Sequence, residues 1–221
     1  MFSVAAVGEV TANFAGPHLW AAARYARLAH DVEAQGVAAA EPPQFHDDLQ
    51  AHVVASVMLA ACAVEAWAGE VAMRPADHFA SPFSPGLETE LAKLITWSSI
   101  PRKYNALAKL AACPAPDFTI DPDKSLDDLR VLRNALVHFH PESLAQLKTH
   151  ADVSTMLTTR CKRSQLLHSS APFFPMAFAS YDCARWAVTT ARDFIERFAA
   201  KCGWGHPWTK PHHAAKLVLP P

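Results

Sequence analysis

Apolar residues recur at three- and four-residue steps through most of the chain, the repeat of a helix with one buried face. Val53, Val57, Ala60, Val64, Trp67 and Val71 predict a long helix from about Asp47 to Met73, stopped by Pro75. Leu19, Ala22, Ala23, Ala26 and Ala29/His30 give a small-residue face to a helix from Pro17 to about Gln35, with Gly36 as its stop. Ala184, Val188, Ala191, Ile195 and Phe198 mark a closing helix over about Phe178 to Lys201. Leu87 to Trp97 and Arg102 to Ala112 read as shorter helices. Ser125, with Asp128 three residues on, reads as the N-cap of a helix from about Leu126 to Phe139, because Pro141 disfavours helical geometry at His140.

Proline and glycine divide these segments at Glu41-Pro42-Pro43, Ser81 to Gly86, and Cys113-Pro114-Ala115-Pro116. Residues 1–16 read as an N-terminal arm, extended or a short hairpin, and residues 203–221 as a tail rich in Pro, Trp and His. Pro141 to Lys148 suits a short extra helix, and residues 150–172 carry no clear pattern. The expected fold is all-α: an antiparallel helical bundle over residues 17–202, with extra short helices and irregular terminal segments.

With 221 residues, 51% of them hydrophobic, the chain can fill one core, and one domain is the simplest reading. The net charge of −1 gives no global basic field to attract nucleic acid, so any RNA contact must be local. The longest uncharged apolar run, Val53 to Val64, falls short of the about 20 residues that span a bilayer, and Met1-Phe2-Ser3-Val4 lacks the basic start of a secretory signal. The five cysteines (Cys62, Cys113, Cys161, Cys183, Cys202) are odd in number and never spaced as CxxC. They read as reduced thiols of a cytoplasmic protein with no membrane partner.

Leu129 to His140 carries the candidate chemistry. At about 100° per residue, Leu129, Leu132, Leu136 and Phe139 fall within about 80° of one another and define a core face. His138 lies nearly opposite that face with Asn134 beside it, and Arg133 stands about 140° around from His138. Arg133 and His138 therefore do not stand side by side on one straight helix. If they cooperate, the arginine must reach around, or a second copy of the chain must contribute across a two-fold interface. Imidazole can take or give a proton near neutrality, guanidinium presents a fork of donors to phosphate oxygens, and Asn can orient a neighbour or bond a ribose. Such a set suits RNA cleavage without metal. His138 would withdraw the 2′-hydroxyl proton or protonate the leaving 5′-oxygen, and Arg133 would stabilise charge developing on the phosphate. Spacing alone favours the plainer reading, a solvated helix end capped by a histidine.

The string Leu132-Arg133-Asn134-Ala135-Leu136-Val137-His138-Phe139 resembles the Arg-x4-His motif of the HEPN family (higher eukaryotes and prokaryotes nucleotide-binding). Ala60 to Trp67, with Glu65, resembles the family's second long helix, Ile100 to Tyr104 the segment between, and Ala184 to Ala187 the closing helix; together the likeness spans roughly residues 45–200. The resemblance implies a helical bundle that dimerises with two motifs facing across a cleft. It also implies, in many members, a metal-independent endoribonuclease acting as a toxin, in defence or in RNA processing, sometimes held by an antitoxin. Carried over by position, Arg133 and His138 would be catalytic and Asn134 supporting. Other members bind nucleotide, RNA or protein without cutting, and that is the alternative function; an unrelated helical structural protein is the third. Two positions depart from the pattern. His140 stands where partner-neutralised members often carry Tyr, and Gly69 stands where a polar residue often follows the helix glutamate.

Glu65, set among apolar residues, is either a partner supporting Arg133 or half of an internal ion pair with Lys103 or an arginine, the second being favoured. His140 is a second proton-transfer group or a helix-end cap. Arg130, one turn before Asn134, either helps bind phosphate or lies on a solvated face. Trp204 and Trp208 can stack bases or pack the tail onto the bundle. His206, His212 and His213 have no Cys or carboxylate at ligand spacing, so neither a metal nor a cofactor is expected.

Overall fold

The structure is a computed structural model that describes residues 13–39, 42–74, 77–79, 89, 91, 93, 95, 98–141, 150–205, 207–208 and 211–221. All regular structure among these residues is helical, as the periodicity predicts. The principal helices are α1 (Ala15–Ala38), α2 (His46–Met73), α3 (Ile100–Leu110), α4 (Asp123–Val137), α5 (Ala151–Thr158), α6 (Tyr181–Lys201) and the short α7 (Pro211–Ala215). Thr89, Leu91, Lys93 and Ile95 are also helical, with Leu91 and Ile95 buried, within the expected Leu87 to Trp97 segment.

The frame is α1 against α2, with both packed on α6. Alanines at 22, 23, 26 and 29 of α1 are fully buried, and such small side chains let the backbones approach closely. Buried Ser56 of α2 uses that closeness: its hydroxyl lies 3.0 Å from the Ala22 carbonyl and 3.5 Å from that of Ala184, touching all three helices. Two carboxylates satisfy helix starts that lie far away in sequence. Glu70, near the end of α2, accepts the N–H groups of Phe14 and Ala15 at 2.6 and 2.7 Å, so α1 and α2 are antiparallel. Buried Glu33, near the end of α1, accepts from the N–H of Tyr181 at 2.8 Å and of Gln165 at 3.1 Å, so α6 is antiparallel to α1.

The core centres on Tyr104 of α3, fully buried among Trp67, Phe194 and Phe198. Its hydroxyl donates to the Val64 carbonyl at 2.8 Å. Burial pushes this phenol well above its ordinary range, with Glu65 and Glu70 adding to the rise.

Several boundaries differ from the sequence expectation. α1 begins at Ala15 and passes through Gly36 to Ala38. Gly36 is there for close approach: a Cβ would come within 2.7 Å of Leu166 and 3.0 Å of Phe45. α4 begins at Asp123, two residues before Ser125, which is therefore helical and not a cap. The Ser125 hydroxyl instead accepts from the Trp186 indole at 2.9 Å and lies 3.0 Å from the Thr190 hydroxyl, tying α4 to α6. α6 begins at Tyr181, capped by Ser180, which accepts the Cys183 N–H. The expected short helix at 141–148 and the arm at 1–16 fall mostly outside the described residues. The tail folds back on the bundle: Trp208 and Leu217 are buried, and Arg27 donates to the Lys216 and Val218 carbonyls at 3.0 Å. Trp204 packs among Trp67, Phe79 and Phe198.

The reading of all five cysteines as reduced thiols is corrected. Cys113 and Cys202 form a disulfide across 89 residues, Cα to Cα 5.2 Å, while Cys62, Cys161 and Cys183 are free. The loop after α3 and the end of α6 meet only in the folded chain, which spacing along the sequence does not reveal. α2 is by length and composition apolar enough to cross a membrane, and half of its most apolar window is buried inside the bundle.

Removing the Glu33 carboxylate leaves two backbone donors unpaired, each bonded to a charged acceptor. Glu33→Ala is expected to lower stability by about 2–4 kcal/mol, read as a drop in the urea unfolding midpoint. A loss below about 1 kcal/mol would mean that water replaces the carboxylate and that it does not hold the start of α6.

Candidate functional site

The motif segment occupies the last turns of α4. Leu126, Leu129 and Leu132 are fully buried and anchor the helix. Below Leu132 the core face opens out. Leu136 is only half-buried, and Phe139, the last member of the expected core face, is 39% exposed because α4 has already ended at Val137. Phe139 instead stacks on the buried His150 ring at 5.2 Å.

Arg133 turns toward α2. Its Nη2 lies 3.6 Å from Glu65 Oε1, and its Nη1 donates to Asn134 Oδ1 at 2.9 Å. Both side chains of the ion pair are about one-third exposed, at 28% and 35%. An ion pair this open to water contributes up to about 1 kcal/mol. Its value is positional: one edge of the guanidinium is fixed, and the Asn134 amide is oriented by it. The partner of Glu65 is thus an arginine and not Lys103. On this geometry the two readings of Glu65 merge, since the ion pair it forms is with Arg133 itself.

Cys62, one turn before Glu65 on α2, belongs to the same cluster. Burial, and then the Glu65 charge, push its thiol above the ordinary range, while Arg133 pulls it down. At neutral pH it is a protonated thiol and no nucleophile. It was not among the sequence candidates, although its three-residue offset from Glu65 places both on one face of α2.

His138 stands apart from this cluster. It is the residue that closes α4: its N–H still bonds the Asn134 carbonyl at 2.9 Å, and its side chain is exposed with no hydrogen-bond partner among the described residues. His140 is exposed as well; its carbonyl, 3.1 Å from the buried His150 Nε2, is what ties it to the bundle. Arg130 pairs with Asp127 on its own helix at 2.7 Å, on the outer surface of α4. The structure thus brings Glu65, Arg133 and Asn134 together with Cys62, and leaves His138, His140 and Arg130 outside that contact. Val137, at 48% exposure, and Phe139 flank His138 with apolar surface.

Other charged clusters serve the fold. Arg160 bridges Asp121 and the buried Asp128, and the buried Asp123 meets Arg197 and Lys201 near the C-terminal end of α6. Of the tail histidines, His213 packs against Trp20 at 4.5 Å, and His206 and the His212 side chain lie outside the described part. Among the described residues no three His, Cys, Asp or Glu side chains gather as they would around a metal ion. Comparison with protein-family models, curated proteins and solved structures finds no match to this chain.

The charges around Cys62 make its reactivity a reporter of the cluster. At pH 8, Glu65→Gln should speed alkylation of Cys62 by about two- to fivefold, because the carboxylate that disfavours the thiolate is gone. Arg133→Ala should slow it. Peptide mapping separates Cys62 from the buried Cys161 and Cys183. Equal rates in all three proteins would mean that Glu65 and Arg133 do not face the thiol.

Proposed function

We propose that the chain is a metal-independent endoribonuclease of the HEPN type, acting as a homodimer whose cleft joins Arg133 of one copy to His138 of the other. The observation that carries this reading is the division of labour at the end of α4. A guanidinium suited to phosphate is held in place by Glu65, and an exposed imidazole without a hydrogen-bond partner among the described residues sits five residues on. In one chain Arg133 turns to Glu65 on α2 and His138 lies outside that contact, so on this reading a second copy supplies the missing half. The exposed Val137 and Phe139 beside His138 are apolar surface of the kind a second α4 can cover.

On this reading the Arg133 guanidinium, whose two Nη groups face Glu65 and Asn134, turns remaining N–H donors of those groups to the scissile phosphate and stabilises its developing charge. A His138 imidazole takes the ribose 2′-hydroxyl proton as that oxygen attacks phosphorus, or returns a proton to the departing 5′-oxygen. The products are a 2′,3′-cyclic phosphate and a free 5′-hydroxyl. On the same reading Asn134, oriented by Arg133, bonds a ribose hydroxyl. A role as a toxin or defence effector, with an antitoxin partner, follows only from the resemblance. The second reading is a HEPN-type module that binds RNA, nucleotide or protein without cutting. It is favoured by one observation: the Arg133 guanidinium already has Glu65 and Asn134 as partners, and the Glu65 charge offsets its own toward a phosphate.

The test is cleavage of mixed RNA in excess chelator. The wild-type chain should release 2′,3′-cyclic phosphate ends, and His138→Ala should lose at least about 100-fold in rate, with its unfolding curve unchanged because the side chain is exposed. RNA left intact at large enzyme excess, or binding that survives His138→Ala without any turnover, would replace this reading by the second.

A further inference from the structure

A cavity of about 380 Å³ opens between the start of α1, the end of α2 and the folded-back tail. None of Glu65, Arg133 or His138 lines it. Its walls are indoles from three separate elements: Trp20 of α1, Trp67 of α2 and Trp208 of the tail. Trp67 is itself held by stacking on Tyr104 and by edge contact with Phe198, so that wall is rigid. Three indoles lining one space favour a flat apolar ring, which gains contact area on each.

The charges select among flat rings. Glu70 and Asp77 are carboxylates, and Arg74, 3.8 Å from Asp77, is the one cation among the described lining residues besides the histidines. Burial holds His78 below the ordinary histidine range, against the pull of Asp77, so it is neutral at pH 7. Among the described lining residues the sum is one negative charge, which the Lys216 ammonium over Trp20 only balances, so a phosphate gains no net attraction. A cationic ring is disfavoured too, because the chain's own Lys216 ammonium already lies over Trp20 at 4.3 Å. An uncharged ring is left, and the polar groups define its edge. Glu70 gives one oxygen to the start of α1, and its carboxylate has a second to accept a ligand N–H. Arg74 Nε and His78 Nδ1 are buried without a hydrogen-bond partner among the described residues. A small turn of these half-exposed side chains lets a ring acceptor meet the Arg74 Nε–H, while His78 Nδ1 takes a ring donor or acceptor according to its tautomer.

We infer that this cavity is a binding site for an uncharged purine-type base or nucleoside carrying both N–H donors and ring acceptors, with guanine as the best match to a carboxylate facing an arginine.

The probe is guanosine, titrated calorimetrically into the full chain beside its 5′-monophosphate and tryptamine. One site with a Kd of about 10–500 μM is expected for guanosine, with the monophosphate at least about fivefold weaker. Gly205 lines the cavity, and a Cβ there meets nothing within 4 Å, so Gly205→Trp sets a bulky side chain at its wall, with thermal unfolding as the check on the fold. It should weaken guanosine at least about tenfold. Asp77→Asn, at an exposed side chain, should narrow the preference for guanosine over the monophosphate. No binding at about 2 mM, guanosine binding unchanged in Gly205→Trp, or an unaltered preference in Asp77→Asn overturns the assignment, as does tighter binding of the monophosphate or tryptamine. RNA cleavage enters none of these readings, so the site stands or falls separately from the nuclease proposal.

Discussion

The Glu65–Arg133 pair sets what the end of α4 can do. An arginine side chain left loose there would sample many directions, including one around the helix toward His138. Held 3.6 Å from Glu65 and bonded to Asn134, it commits to the α2 side, and the exposed His138 stays outside that contact. The pair adds little to stability, because about a third of each side chain is open to water. Its consequence is geometric: the proposed chemistry, which uses both groups on one phosphate, draws them from two chains.

That constraint rests on how closely α2 and its neighbours pack. The alanine face of α1 allows the approach, and Ser56 ties three helices at their closest point. Glu70 and Glu33 fix where α1 and α6 begin. Tyr104 then locks α3 onto the α2 backbone at Val64, one residue before Glu65. The site arginine thus meets a carboxylate whose helix is braced from both sides.

The long helices and their buried faces were legible in the sequence because periodicity is local. The stripe Val53, Val57, Ala60, Val64, Trp67 and Val71 is buried as read, and so is the alanine face of α1. What the sequence did not reveal depends on distant partners. Gly36 reads as a helix stop but is the contact point for Leu166 and Phe45. Ser125 reads as a cap but bonds Trp186 of α6. Cys113 and Cys202 read as lone thiols but meet across 89 residues. At the site, the wheel separated Arg133 from His138 and left two partners open for Glu65. The choice of Arg133 needed the packing of α4 on α2. Phe139 was placed on the core face by a wheel that ran two residues past the end of the helix.

The most direct measurement is to mix two inactive variants, Arg133→Ala and His138→Ala, and assay RNA cleavage. A mixed dimer holds one complete cleft, with His138 from the first variant and Arg133 from the second, so the mixture should regain a substantial fraction of wild-type activity. If mixed dimers form, as shown by mass spectrometry, and the mixture stays as inactive as its components, then the two groups do not share a cleft between copies and the central claim is wrong.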